Sequence, residues 1–203
     1  SKEDAKKFSG EVFTLLLLTL IILTILLQIT MPYLMVIIAP GFFASSEKFD
    51  LAVTLCRLTI PYVIFVSITA LFGGMLNSIR QFAAFAFVPV LMNICIITIT
   101  PLIQDKYTAH FSITYALIIA GILQVSFMYY CLMRAGLNFP LLFRPKDKDV
   151  KILLKKMGPA AMSSGAQQIN LFISQSIASF LPGAVSILSY ADRLYQLPMS
   201  LIG

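Results

Sequence analysis

Charge is what this chain has least of. Asp, Glu, Lys and Arg make up 12% of its 203 residues, about half the share of an ordinary soluble domain, and its mean hydropathy is +0.89. That balance excludes a globular fold bathed in water. It points to a polytopic membrane protein whose outer surface meets acyl chains. Cysteine and histidine are also sparse. Cys56, Cys95 and Cys131 fall in apolar stretches without metal-ligand spacing and His110 stands alone, so neither a disulfide framework nor a metal site is expected. No cofactor and no nucleic-acid partner are expected either.

Long apolar runs are what the chain has in abundance. A bilayer core needs about 20 such residues per helix, and six stretches supply them: Val12 to Ile38, Leu51 to Leu76, Phe82 to Ile103, Ile113 to Met133, Pro159 to Leu181 and Ala184 to Ile202. Connectors rich in turn residues or charge separate them, such as Ala39-Pro40-Gly41 and Leu181-Pro182-Gly183. A β-barrel would need strands of about ten alternating residues, and runs such as Ile21 to Leu27 do not alternate. The fold class is therefore all-α, a transmembrane helix bundle with about six spans.

The basic residues orient it. Lys2, Lys6, Lys7, Arg80, Arg134, Arg144, Lys146, Lys148, Lys151, Lys155 and Lys156 fall in one set of connectors, against Lys48 and Lys106 in the other. By the positive-inside rule, residues 1–9 and 134–158 are cytoplasmic. Residues 1–135 then form four spans, residues 136–158 a cytoplasmic linker, and residues 159–203 two further spans. Within the linker, Val150, Leu153, Leu154 and Met157 share one helical face amid lysines, the pattern of an interfacial helix. Those lysines either attract anionic headgroups or simply set topology. The chain begins with Ser rather than Met, without a signal-peptide pattern, and stops at Gly203 without a charged exit residue. A piece of a longer protein is expected.

Polar chemistry concentrates in the last two spans. At about 100° per residue, Ser163, Gln167, Asn170 and Ser174 form one stripe, with Ser164, Gln168 and Gln175 beside it. Such groups can hydrogen-bond neighbouring helices, but seven on one arc are better explained by an aqueous cavity. On the final span Ser186, Ser189, Tyr190, Arg193 and Gln196 share a face. A guanidinium at that depth costs at least about 2.5 kcal/mol on insertion scales and marks a functional site by default. Its planar fork suits phosphate or carboxylate. The competing reading is a structural ion pair, with Asp192 or with a carboxylate on another helix. Arg57, about two turns into its span, is expected to snorkel to the interface. Pro32, Pro61, Pro89 and Pro101 interrupt spans and permit bending, and Gly73 and Gly74 permit close helix approach.

The run Ser189-Tyr190-Ala191-Asp192-Arg193-Leu194-Tyr195-Gln196-Leu197-Pro198, with Gln168-Ile169-Asn170-Leu171 and Ala178-Ser179-Phe180-Leu181, resembles the bacterial lipid II flippase family of the MviN or MurJ type. Ala39-Pro40-Gly41-Phe42, Arg57-Leu58-Thr59-Ile60-Pro61-Tyr62, Leu71 to Asn77 and Phe82 to Asn93 match it in order. The resemblance covers essentially the whole chain. It implies the multidrug/oligosaccharidyl-lipid/polysaccharide (MOP, MATE-like) exporter fold, with this chain holding about helices three to eight of fourteen. It further implies alternating access that moves undecaprenyl-diphosphate-linked disaccharide peptide across the inner membrane for cell-wall biogenesis. Arg193 matches the family's cavity arginine and Asp192 its acidic neighbour, with Tyr190, Gln167, Asn170 and Ser174 as further substrate-binding candidates. The family's other cavity arginines lie in two helices missing here. Ligand, ion gradient or membrane potential would give the cycle its direction. The same fold could instead export a polysaccharide-lipid or a drug. An enzyme acting on a lipid diphosphate would need clustered acids and histidine, whereas Asp192 is the sole acid deep in the spans.

Overall fold

The computed structural model describes residues 2–103, 109–138 and 148–202. Every regular element in them is helical. In chain order these are α1 (Lys2–Ile38), a 3-10 turn (Pro40–Ala44), α2 (Ser46–Thr59), α3 (Tyr62–Ser78), α4 (Ala83–Ile103), α5 (Ala109–Arg134), α6 (Lys148–Ala178) and α7 (Ala184–Ile202). Four segments are long and apolar enough to cross a membrane: Lys6–Ile38, Ser46–Ser78, Ala83–Ile103 and Phe111–Arg134. The stretches expected from Pro159 and from Ala184 do form helices, but among the described residues neither reaches that apolarity. Their polar stripes are the cause.

Two expected boundaries move. The span read as Leu51 to Leu76 is two helices, because the chain turns at Ile60-Pro61. Pro61 has no N–H to continue the ladder, and the turn tightens to bonds three residues apart, Val63 N–H to the Ile60 carbonyl at 3.0 Å and Ile64 N–H to the Pro61 carbonyl at 3.1 Å. Conversely, Pro159 lies inside the unbroken α6, so the linker's helical segment and the stretch expected to start at Pro159 belong to one continuous helix. The side chains of 150–154 and of Met157, which carry the interfacial pattern, lie outside the described residues, as does the side chain of His110.

The chain divides into two compact units. Ser1–Ile29 with Leu55–Leu154 forms the first, and Thr30–Thr54 with Lys155–Gly203 the second. In the first, α5 packs on both α3 and α4. Ile68, Phe72 and Leu76 recur every four residues along α3 and meet Met128 and Leu132 of α5 and Val88 of α4 in one buried cluster. Phe13 of α1 stacks on Phe72 with ring centroids 5.7 Å apart. Close approach uses glycine at the expected Gly73, where a Cβ would strike the Phe85 ring, and at Gly121, not singled out by the sequence, where one would strike the Phe65 ring. Gly74, paired with Gly73 in the sequence reading, faces open space.

In the second unit the end of α1 meets the end of α6 through backbone and hydroxyls. The Ser176 hydroxyl donates to the carbonyls of Ile37 and Ile38 at 3.0 and 2.9 Å, groups that the end of α1 leaves without helical donors. The Ser179 hydroxyl donates to the Ser176 carbonyl at 2.6 Å and accepts from the Gly41 N–H at 2.9 Å. Gly41 lies so close to the Ser179 backbone that no side chain fits. The sequence motifs around Gly41 and Ser179, 138 residues apart, are therefore two halves of one contact.

Candidate functional site

Helix α7 is the most sharply two-faced of the described helices. It starts after Gly183, whose φ of +78° suits a residue without a side chain, with the Ile187 N–H bonded to the Gly183 carbonyl. Because it runs unbroken over Ala184–Ile202, Ser189, Arg193 and Gln196 fall at i, i+4 and i+7 on one face, with Tyr190 one turn before Arg193. Tyr190, Arg193 and Gln196 are exposed, and Asp192 is half-buried. Among the described residues Arg193 makes no hydrogen bond or ion pair, and Asp192 does not pair with it. A charge left open in an apolar chain is costly, which makes Arg193 the leading candidate for contact with an anionic group.

On α6, Gln167, Asn170 and Ser174 share a face of a continuous helix. Asn170 is exposed and Ser174 half-buried. The Ser174 hydroxyl donates to the Asn170 carbonyl at 3.0 Å, and that of Ser189 donates to the Val185 carbonyl at 2.9 Å. Both hydroxyls thus spend their donor on their own helix, and each retains acceptor capacity. The side chains of Ser163, Ser164 and Gln167 lie outside the described residues. No hydrogen bond among the described residues joins the α6 stripe to Arg193.

Three polar features had no place in the sequence reading of the site. Gln124, 2% exposed on α5, donates to the Val88 carbonyl of α4 at 3.0 Å and accepts from the Tyr62 hydroxyl of α3 at 3.3 Å. One side chain thereby ties three helices. Arg80 and Arg134 line a cavity of about 960 Å³ with Gln81, Phe82, Phe87 and Tyr130, and the Arg134 guanidinium lies 6.0 Å from the centroid of the Tyr130 ring. The turns carrying these arginines are built alike: Gln81 N–H bonds the Leu76 carbonyl and Leu137 N–H the Leu132 carbonyl, the six-to-one bond of a Schellman cap. The left-handed residue is Gly136 in one turn and Arg80, at φ +63°, in the other. Third, Arg57 does not reach for the interface with its Nε; that group donates to the Gln28 carbonyl of α1 at 3.1 Å.

Four apolar spans around a buried three-helix core define a polytopic helical membrane protein. Residues 1–203 match the family described as lipid II flippase MurJ, and the chain belongs to that family. A protein of Rickettsia prowazekii (strain Madrid E) named probable lipid II flippase MurJ is 59% identical over 203 residues, covering 100% of this chain and 40% of that protein. One of the same name from Rhizobium tropici is 40% identical over 206 residues, covering 99% of this chain and 39% of its own length. The Burkholderia cenocepacia lipid II flippase MurJ is 34% identical over 172 residues, covering 82% of this chain and 33% of its own. The chain thus spans about 40% of the length of the two more similar of these relatives.

Proposed function

We propose that the full-length gene product moves lipid II, a polyprenyl-diphosphate-linked cell-wall precursor, from the cytoplasmic to the outer leaflet of the bacterial inner membrane. The observation that carries the reading is Arg193: an exposed cation without a partner among the described residues, on a two-faced helix of a chain in this family. A diphosphate offers oxygens that a guanidinium grips with two parallel bonds. Asp192, Tyr190, Asn170, Ser174 and Gln167 are the neighbours proposed to contact the sugar and peptide. Transport then consists of binding, a change of access and release, with no covalent step. Direction requires that ligand, ion gradient or membrane potential stabilise the inward and outward states unequally. Residues 1–9 and 134–158 face the cytoplasm in this arrangement, which puts the Arg80 and Arg134 cavity on the cytoplasmic side.

Complementation tests it. In cells depleted of their own lipid II flippase, the full-length gene restores growth, and the Arg193→Ala variant at equal membrane level does not. Rescue by both would reduce Arg193 to a structural residue, and rescue by neither would shift the cargo to another exported solute.

A further inference from the structure

Proline removes a hydrogen bond at a known place, the carbonyl four residues upstream. Pro32 lies inside α1, so the carbonyl it deprives is that of Gln28. Pro61 is the N-cap of α3, and the carbonyl it deprives is that of Arg57. These two carbonyls belong to the two residues that clasp each other. The Gln28 side-chain amide donates to the Arg57 carbonyl at 2.7 Å, and the Arg57 Nε donates to the Gln28 carbonyl at 3.1 Å. Each side chain caps the vacancy on the other's backbone, across 29 residues of sequence.

We propose that Gln28 and Arg57 are a reciprocal positioning pair that replaces the two bonds removed by Pro61 and Pro32, so that α1 around Pro32 and the break between α2 and α3 are set as one joint. Lipid is the reason the pair is needed. Both residues lie within segments apolar and long enough to span a membrane, where an uncapped carbonyl has no water to turn to. The Arg57 bond is charge-assisted, which strengthens it further. Parting the pair uncaps both carbonyls together, so neither proline site relaxes alone. Location adds to the case: the first compact unit ends at Ile29 and resumes at Leu55, and the pair ties the two points where the chain leaves and rejoins it. The bonds run from side chain to backbone, so the joint can open without unwinding either helix.

The pairing has a crossed signature that packing or snorkelling would not produce. Restoring an N–H with Pro61→Ala makes Gln28 dispensable, and Pro32→Ala makes Arg57 dispensable. The experiment measures melting temperature of the full-length protein in membranes or detergent for Gln28→Ala and Arg57→Ala, each alone and combined with each proline replacement. Each single change is expected to lower Tm by about 2–4 °C. Gln28→Ala should then cost nothing in the Pro61→Ala background and keep its cost with Pro32→Ala; Arg57→Ala should show the reverse. Gln28→Glu, which keeps the shape and loses the amide donor, should behave as Gln28→Ala does. If a single variant fails to accumulate, membrane level replaces Tm in the same design, and recovery only with the matching proline change supports the joint. Single variants without effect, losses that survive the matching change, recovery with either proline, or a proline variant that itself fails to accumulate would overturn it.

Discussion

The two compact units treat polar groups in opposite ways. In the first, several polar side chains are spent inside the protein, Gln124 on Val88 and Tyr62, Gln28 and Arg57 on each other, although Thr69 Oγ1, Asn77 Oδ1 and Thr100 Oγ1 are buried without a hydrogen-bond partner among the described residues. The second ties separate elements together where the ends of α1 and α6 meet, through Ser176 and Ser179, while Ser174 and Ser189 bond only the carbonyls of their own helices. Farther along, α7 leaves Tyr190, Arg193 and Gln196 exposed. In a lipid-facing chain an internal hydrogen bond relieves a cost, whereas an open cation carries one. Polar residues of the first kind therefore hold the fold. Those of the second kind are the candidates for contact with a ligand.

The sharpest way to break the second unit is Gly41→Val. Its added atoms meet the Ser179 backbone, which cannot swing aside as a flexible side chain would, and the bond from Gly41 N–H to the Ser179 hydroxyl goes with it. A loss of about 3 kcal/mol or more is expected, seen as a fall in melting temperature or in membrane level. Retention of wild-type stability would mean that this contact does not organise the unit.

In the first unit the matching test is a neighbouring pair of substitutions. Gly73→Ala forces its methyl into the Phe85 ring, a side chain that can shift at a cost of about 1–3 kcal/mol. Gly74→Ala meets open space and gains helix propensity, so it should be neutral or slightly stabilising. Comparing the two melting curves separates packing from propensity one residue apart.

Much of this was legible in the sequence. Span α4 was placed to within a residue, Phe82 to Ile103 against Ala83–Ile103, because apolar length and turn residues are local signals. Stripes on α6 and α7 followed from helical period alone. What stayed hidden depends on distant partners. Of the prolines in the helical stretches, Pro32, Pro89, Pro101, Pro159 and Pro198 sit inside helices while Pro61 caps the start of one, and no local pattern tells those outcomes apart. Arg57 read as a snorkelling residue because its acceptor lies 29 residues away. Gln124 is a lone amide in an apolar run, without a periodic partner to mark it. At the candidate site the cation was visible and its ligand was not, since a ligand is specified by everything that surrounds Arg193 and one helix face is only part of that.

Gln124→Leu sharpens the comparison with a destabilisation smaller than that of Gly41→Val. Leucine fills similar volume but leaves the Val88 carbonyl without the Gln124 amide and removes the Tyr62 hydroxyl's bond to Oε1; Met92 Sδ, at 3.5 Å from that hydroxyl, is a weaker substitute. Hydrogen bonds between membrane helices are worth about 0.6 kcal/mol on average and up to about 1.7, so a loss of about 1–2 kcal/mol is expected in melting or denaturation. If polar groups of the first unit only hold the fold, the variant should restore growth to flippase-depleted cells once its membrane level is matched to wild type. Arg193→Ala should do the opposite, keeping stability while losing rescue. A stable Gln124→Leu protein that fails to rescue would dissolve the distinction and give the buried amide a part in transport itself.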